Sequence, residues 1–249
     1  MKFANDTVLI TGASNGIGRQ LAHAYSRNGA TVIMADHDAE HGRQLLGEIR
    51  ENGGDGFFFY CDVSDPQSID QLYNKILDEV GSFTILINNA GISEFQPLED
   101  LSVENWDSII NTNLRSVFLF SKHAAQVWKK NGVKGRIVNL ASTRAYMSEP
   151  NSEGYAASKG GIIGITHALA ASLSEFQIRV NSISPGWIQT ENYSDLREID
   201  HKQHMSNRVG KPEDVAKACF YLTDEENDFV TGADLTVDGG MTRKMIYEH

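Results

Sequence analysis

Short apolar, β-branched runs return along the whole chain, each followed by a longer amphipathic stretch, and few folds accommodate that alternation. The runs are "TVLI", "TVIMA", "GFFFYCDV", "FTILINNAG", "GRIVNLAS", "IRVNSISPG" and "DLTVDGG". Helices are expected between them, among them one around residues 106–130, one over about 152–175 and one after Pro212. Seven strands and six helices in this rhythm predict an α/β fold, a doubly wound and mainly parallel sheet with helices on both faces. Helix punctuation agrees: "SDP" at Ser64 to Pro66 and "KPEDVA" at Lys211 to Ala216 each put Pro in a first turn, the latter with acids at the positive end of the helix dipole. No Pro-rich or Ser-rich linker and no repeat divides the chain, so residues 1–249 are expected to form one domain. The polar segment 191–208, between a strand end and the next helix, is a candidate lid over a ligand.

With 22 Lys and Arg against 33 Asp and Glu, the net charge is −11, which argues against nucleic acid as a partner. The most basic stretch, "KKNGVKGR", reads as the polar end of a helix running into a turn. Only Cys61 and Cys219 occur, with no C-x-x-C spacing, which predicts neither a disulfide framework nor a thiolate metal site and fits a reducing cytoplasm. The N-terminus has no apolar leader pattern, and the apolar stretch 160–173 is interrupted by Thr166 and His167, so no membrane association is expected. His37/His41 and His201/His204 are the helix-compatible histidine pairs; without an H-E-x-x-H pattern they read as solvated surface residues, and no metal site is expected.

The first strand runs into "TGASNGIG", with Gly12, Gly16 and Gly18 ahead of a helix. That context places a helix N-terminus against a phosphate. Gly12 permits the tight exit from the strand, Gly16 lets backbone N–H groups approach a pyrophosphate, and Gly18 lets the helix pack on the sheet. The turn thus marks the doubly wound sheet as Rossmann-type, although G-x-x-x-G-x-G departs from the general dinucleotide spacing G-x-G-x-x-G. Asp36 ends the second strand, 18 residues after Gly18, where an acid accepts from both adenosine ribose hydroxyls and repels a 2′-phosphate. His37 and Asp38 follow it instead of Arg or Lys, and Asn15 in the turn is uncharged, so NAD is expected over NADP.

"YAASKGG" sets Tyr155 and Lys159 four residues apart, on one face of a helix. A phenol with a pKa of about 10 is a poor base at neutral pH, and a neighbouring cation favours its phenolate. "NLAS" ends the fifth strand with Ser142, whose hydroxyl is expected at the carboxyl edge of the sheet, where doubly wound folds bind ligands.

Together these segments resemble the short-chain dehydrogenase/reductase family in its single-domain form, over essentially the whole chain. The resemblance is carried by "TGASNGIG", "CDV" at Cys61 to Val63, "NNAG" at Asn88 to Gly91, Asn113 in "NTN", Ser142, "YAASK", "PGWIQT" at Pro185 to Thr190 and "TGADLTVDGG". It implies that Tyr155 is the general acid/base, that Ser142 hydrogen-bonds the reacting oxygen, that Lys159 binds the nicotinamide ribose and lowers the tyrosine pKa, and that Asn113 holds a water in a proton relay. It implies a cofactor site of Gly12, Ser14, Asn15, Gly16, Ile17 and Gly18 in the turn, with Asp36 at the ribose and Asp62 and Val63 at adenine. Asn89, Ala90 and Gly91 would lie on the adenosine side, and Pro185, Gly186, Ile188 and Thr190 toward the nicotinamide, beside Tyr155 and Lys159. It also implies a homo-oligomer, a tetramer or dimer, packed through the helices of Asn113 and Tyr155.

Substrate residues are expected from "TRAYMSEP", "ISEFQP" and the lid, with Ser142, Arg144, Glu149, Tyr155 and Trp187 as candidates; Arg144 offers a planar fork for a carboxylate or phosphate. The polar lid argues for a small polar hydroxy compound, with a polyol, a sugar or a sugar acid as candidates. The leading expectation is an NAD-dependent dehydrogenase that interconverts a secondary alcohol and a ketone. The alternatives are a reductase of 3-oxoacyl groups on acyl carrier protein, a branch that favours NADP and a basic glycine turn, and a catalytically silent dinucleotide-binding module. The tail from Met241 to His249 is assigned no role.

Overall fold

The computed structural model describes residues 1–245; the end of the C-terminal tail, 246–249, lies outside the described residues. The chain alternates β1 (Thr7–Thr11), α1 (Gly16–Arg27), β2 (Thr31–Asp36), α2 (Ala39–Glu51), β3 (Gly56–Tyr60), α3 (Pro66–Glu79) and β4 (Ile85–Asn88). It continues with α4 (Val103–Ile110), α5 (Ser116–Asn131), β5 (Arg136–Leu140), α6 (Glu153–Leu173), β6 (Arg179–Pro185), α7 (Glu198–Lys202), α8 (Pro212–Thr223) and β7 (Asp234–Val237). Among the described residues the seven strands form one sheet in the order β3-β2-β1-β4-β5-β6-β7, and every pairing is parallel.

The two-residue period of a strand sends neighbouring side chains to opposite faces, and both faces are apolar here. Val8 and Ile10 of β1 pack with Leu21 and Tyr25 of α1, Leu45 of α2 and Leu222 of α8. Leu9, between them, joins Leu72 of α3, Phe120 and Trp128 of α5 and Leu173 of α6 on the other face. Side chains as large as Leu, Phe and Trp gain about 1.5–3 kcal/mol each or more on full burial, so the two layers carry most of the driving force for closing helices over the sheet.

Two expectations change in detail. The helix expected around 106–130 is α4 and α5 joined by a π-turn at Asn111–Arg115, and a further short helix, α7, lies inside the segment 191–208. β3 ends at Tyr60, before "CDV", although the Cys61 amide still donates to the Asp36 carbonyl at 2.9 Å. The basic stretch is also not all surface. α5 closes on Gly132 in the left-handed conformation, as expected of a helix end, but Arg136 is the first residue of β5 and is buried.

The chain runs outward from β1 to β3, then returns to place β4 on the other side of β1. A crevice opens where the direction reverses, at the carboxyl ends of β1 and β4. It is tightly stitched: Thr11 Oγ1 accepts from the Asn89 and Ala90 amides, and Asn89 Nδ2 donates to the carbonyls of Thr11 and Gly12. At Gly12, φ is +62° and a Cβ would come within 2.8 Å of Ala90 Cα, so glycine is required twice over.

Candidate active site

The glycine turn leads into α1 without a side-chain cap. Asp38 and Asp65 cap α2 and α3, whereas Asn15 makes no capping bond and the first turn of α1 contains no acid. Its first N–H groups are therefore open to an anionic ligand. Gly16, at φ +53°, faces Thr190 across the crevice, 3.4 Å from where its Cβ would stand. Ser14 is buried and its amide donates to Asp36 Oδ2 at 2.9 Å, while Asp38 donates to Asp36 Oδ1 at 2.9 Å. The Asp36 carboxylate is thereby fixed at the end of β2, with His37 Nδ1 3.3 Å away. Asp62 accepts from the amide and hydroxyl of Ser64, and Val63 is buried beside it. Gly18 packs against Gly12, and Asn89 spends its amide on the Thr11 and Gly12 carbonyls, so both residues build the crevice wall.

A cavity of about 210 Å³ continues from this crevice, lined by Ile17, Asn89, Gly91, Tyr155, Lys159, Pro185, Gly186 and Ile188 among others. A second cavity, of about 550 Å³, shares Ser93, Ser142, Tyr155 and Gly186 with it. Arg144, Glu149 and Trp187 line the second one, so the substrate candidates and the catalytic candidates are brought together. Phe95, Met147, Gln203 and Met241 complete much of its wall. Of these, Met241 belongs to the tail to which the sequence assigns no role. The available signal was "DGG": Gly239 and Gly240 both take positive φ, and Asp238 accepts from the amides of Gly240 and Thr242, which turns the chain back to the site.

The lid contributes less to this cavity than its composition suggested. Gln203 is its one residue among the lining side chains, while Glu191 and Tyr193 face a separate groove beside Gly16 and Lys211. The expectation that the lid histidines are solvated also fails for His204. That ring is 1% exposed, packed 6.4 Å from Trp187 and under the Gly239 turn, with neither nitrogen hydrogen-bonded within the described residues.

Tyr155 and Lys159 lie one turn apart on α6, Lys159 Nζ 5.5 Å from the centre of the tyrosine ring. Lys159 Nζ donates to the Leu140 carbonyl at 2.8 Å. Burial drives both groups toward their neutral forms: the Lys159 ammonium is pushed down to about 8, and the Tyr155 phenol is pushed up. The Ser142 hydroxyl and the Arg144 charge oppose the shift at Tyr155, while Lys159 is not among its counterweights. Ser142 also accepts from the Arg144 amide at 3.1 Å, so it caps a turn and faces the tyrosine at once. Asn113, inside the π-turn and fully buried, accepts from the Ile92 amide and donates to the Ile92 carbonyl and to Ser158 Oγ. Its side chain therefore locks the segment after β4 to α6. A Cβ at Gly91 would stand 3.2 Å from Asn113 Oδ1, which makes that wall close-fitting. No group of three or more His, Cys, Asp or Glu among the described residues is placed to hold a metal ion, and no described helix is long and apolar enough to cross a membrane.

Residues 12–242 match a family model described as enoyl-(acyl carrier protein) reductase. The chain is 42% identical over 249 aligned positions to an uncharacterized oxidoreductase of Thermotoga maritima, covering 96% of this chain and 97% of the relative. The chain belongs to the short-chain dehydrogenase/reductase family. Glucose 1-dehydrogenase 2 of Bacillus subtilis is 35% identical, with 95% of this chain and 94% of that protein aligned. The crystal structure of a short-chain dehydrogenase from Bacillus anthracis superposes with a TM-score of 0.90 at 31% identity, covering 99% of this chain and all of that one. As a short-chain dehydrogenase/reductase, the protein is an oxidoreductase of the class that acts on CH–OH donors and binds a nicotinamide dinucleotide. The uncapped α1 N-terminus, the glycine turn and the fixed Asp36 suit such a dinucleotide by shape and by hydrogen-bonding capacity.

Proposed function

We propose that the protein is an NAD-dependent dehydrogenase that interconverts a small polar secondary alcohol and its ketone, with Tyr155 as general acid/base. The observation that carries this reading is the position of Ser142 and Tyr155 in the shared wall of the two cavities, facing both. The smaller cavity suits the nicotinamide end of the cofactor, between Lys159, Gly91 and Ile188, and the larger suits the substrate. The nicotinamide, when bound, supplies the hydride acceptor or donor. Every other part of the work falls to the chain.

Tyr155 rests as a phenol because burial raises its pKa, which suits proton donation to a carbonyl oxygen during reduction. In the oxidative direction it accepts the alcohol proton only as the phenolate, after its own proton has left to solvent, so oxidation is expected to speed up as pH rises. Ser142 gives a second hydrogen bond to the same oxygen and steadies the charge that develops there. Lys159 uses one of its three N–H donors on Leu140, leaving the others for ribose hydroxyls, and Asn113 holds the wall against which Gly91 and Lys159 pack. The Phe95 ring stands edge-on to Tyr155 at 5.9 Å between centroids and forms part of the wall of the larger cavity.

The preference for NAD is supported by the fixed Asp36 carboxylate, with His37 and Asp38 following where a phosphate-binding arginine or lysine would serve NADP. One domain over residues 1–249, a cytoplasmic location and a homo-oligomer complete the reading. The last is supported by the exposed apolar side chains Val103 and Trp106 of α4 and Phe118 of α5.

The test is a turnover screen read by nicotinamide absorbance, with NAD and NADP separately, over polyols, aldoses, sugar acids, hydroxy acids and an acyl thioester. Turnover with NAD on a hydroxy compound, lost by roughly 10²–10⁴-fold in Tyr155→Phe while NADH still binds, is the expected result. Near-normal turnover in that variant would remove Tyr155 as proton donor, and a preference for NADP would overturn the role given to Asp36.

A further inference from the structure

Two residues beyond Ser142, Arg144 turns into the larger cavity, and Glu149 meets it there. Arg144 Nε and Nη2 both donate to Glu149 Oε1, at 2.9 and 2.6 Å. Because both bonds end on one oxygen, Glu149 Oε2 and Arg144 Nη1 make no hydrogen bond among the described residues. The pair thus carries an unbonded acceptor, Oε2, and an unbonded donor, Nη1, at zero net charge, on cavity-lining side chains that are 47% and 27% exposed. The rest of the wall includes carbon surfaces from Phe95, Met147, Trp187 and Met241, the Ser142 and Tyr155 hydroxyls, and the polar side chains of Ser93, Ser148 and Gln203.

We propose that the Arg144–Glu149 pair is a hydroxyl clamp that selects neutral polyhydroxy substrates, polyols and aldoses, over sugar acids. The proposal rests on the dehydrogenase reading above and names the substrate class of that same site. One hydroxyl group donates to Glu149 Oε2 and another accepts from Arg144 Nη1, which suits a compound carrying several hydroxyls along a carbon chain or ring. The carbon surfaces cover the C–H faces of such a compound. A carboxylate meets the opposite situation: Arg144 is already neutralised, Glu149 repels the anion, and a chain with net charge −11 gives it no favourable approach. An arginine fork alone would favour the acid, so the selection resides in Glu149.

The test compares size-matched pairs, sorbitol with gluconate and glucose with glucuronate, by ligand-observed NMR titration of the NADH-loaded protein and, separately, by turnover with NAD. The wild type is expected to bind each neutral member at least about tenfold more tightly than its acid partner. Glu149→Gln, which frees the Arg144 charge, is expected to shift that ratio at least about tenfold toward the acid, and Arg144→Met to weaken the neutral ligands without that shift. Equal or tighter binding of the acids by the wild type, a ratio changed less than about twofold in Glu149→Gln, or no binding of either neutral compound overturns the clamp. Selective binding without turnover would leave the clamp standing and overturn the dehydrogenase reading for these compounds, whereas turnover with the acids preferred would do the reverse.

Discussion

β5 has a buried cation at each end, and the two are held in opposite ways. At its start Arg136, 4% exposed, pairs with the Asp6 carboxylate, and its Nη1 donates to the Thr223 carbonyl at 3.0 Å. Past its end Lys159, 5% exposed, rests on the Leu140 carbonyl, and burial is the one cause acting on its pKa. The amino edge of the sheet thus uses a compensated charge to tie β5, the N-terminal segment and the end of α8 together. The carboxyl edge keeps a charge that the fold alone would prefer to neutralise. A buried charge maintained against stability fits the catalytic role proposed for that edge.

The sharpest way to break this comparison is Lys159→Met, similar in length and without charge. Turnover is expected to fall by roughly 10²–10⁴-fold, while stability at neutral pH rises by about 1–4 kcal/mol because a desolvated charge is gone. Both are measured on one preparation, by steady-state rates and by denaturant unfolding. A less stable variant would show that Lys159 is compensated after all.

Arg136→Met examines the other end. It leaves the Asp6 carboxylate, 10% exposed, without a cation and held by the Thr84 hydroxyl, frees the Thr223 carbonyl, and is expected to cost about 3–5 kcal/mol of unfolding free energy. The folded fraction is expected to keep its kcat, since Arg136 is at the far edge of the sheet. A loss below about 1 kcal/mol would mean that Glu225, 3.7 Å from Nη1, and solvent absorb the change.

The smallest effect is a pH dependence. Lys159 has a folded pKa near 8, below its ordinary value of 10.5, so below about 8 both states carry the proton and the burial penalty is complete. As pH rises from 8 toward 10.5 the unfolded chain keeps a proton that the folded one has released, and stability gains up to about 3 kcal/mol. Tyr25 and Tyr73, both buried with raised pKa values, act in the opposite sense once unfolded phenols begin to ionise near about 10. The difference in unfolding free energy between wild type and Lys159→Met isolates the lysine, and a difference flat from pH 7 to about 10 would remove it.

What sequence could and could not reveal follows the same division between local and distant causes. The strands and the strand-helix order were legible because each apolar run is local, and Tyr155 and Lys159 were legible as a pair because one helical turn joins them. The π-turn at Asn111–Arg115 was not, since its hydrophobic pattern runs through without a break; what accompanies it is packing, including the missing Cβ of Gly161 that leaves room for Leu114. Arg136 reads as one more cation in a basic stretch until β5 is paired and Asp6 arrives from 130 residues away. The direction of the Tyr155 shift also lay outside the sequence argument. Spacing brings a cation near, but in the packed site burial raises the tyrosine against Ser142 and Arg144, not Lys159, and lowers Lys159 as well. The cavity wall from Phe95 and Met241 depends on loops that meet only in three dimensions.

The stitching of Thr11 to Asn89 spans 78 residues, and the crevice exists only once β1 and β4 are neighbours. Parallel pairings of this kind close long loops before any contact rewards them, so they form slowly. Helices such as α1 and α6 are local and can form early, whereas the cofactor crevice must wait for the middle of the sheet to zip. In refolding, recovery of dinucleotide binding is therefore expected to lag behind the far-ultraviolet helical signal. The residues that form the crevice are thus expected to come together late in folding.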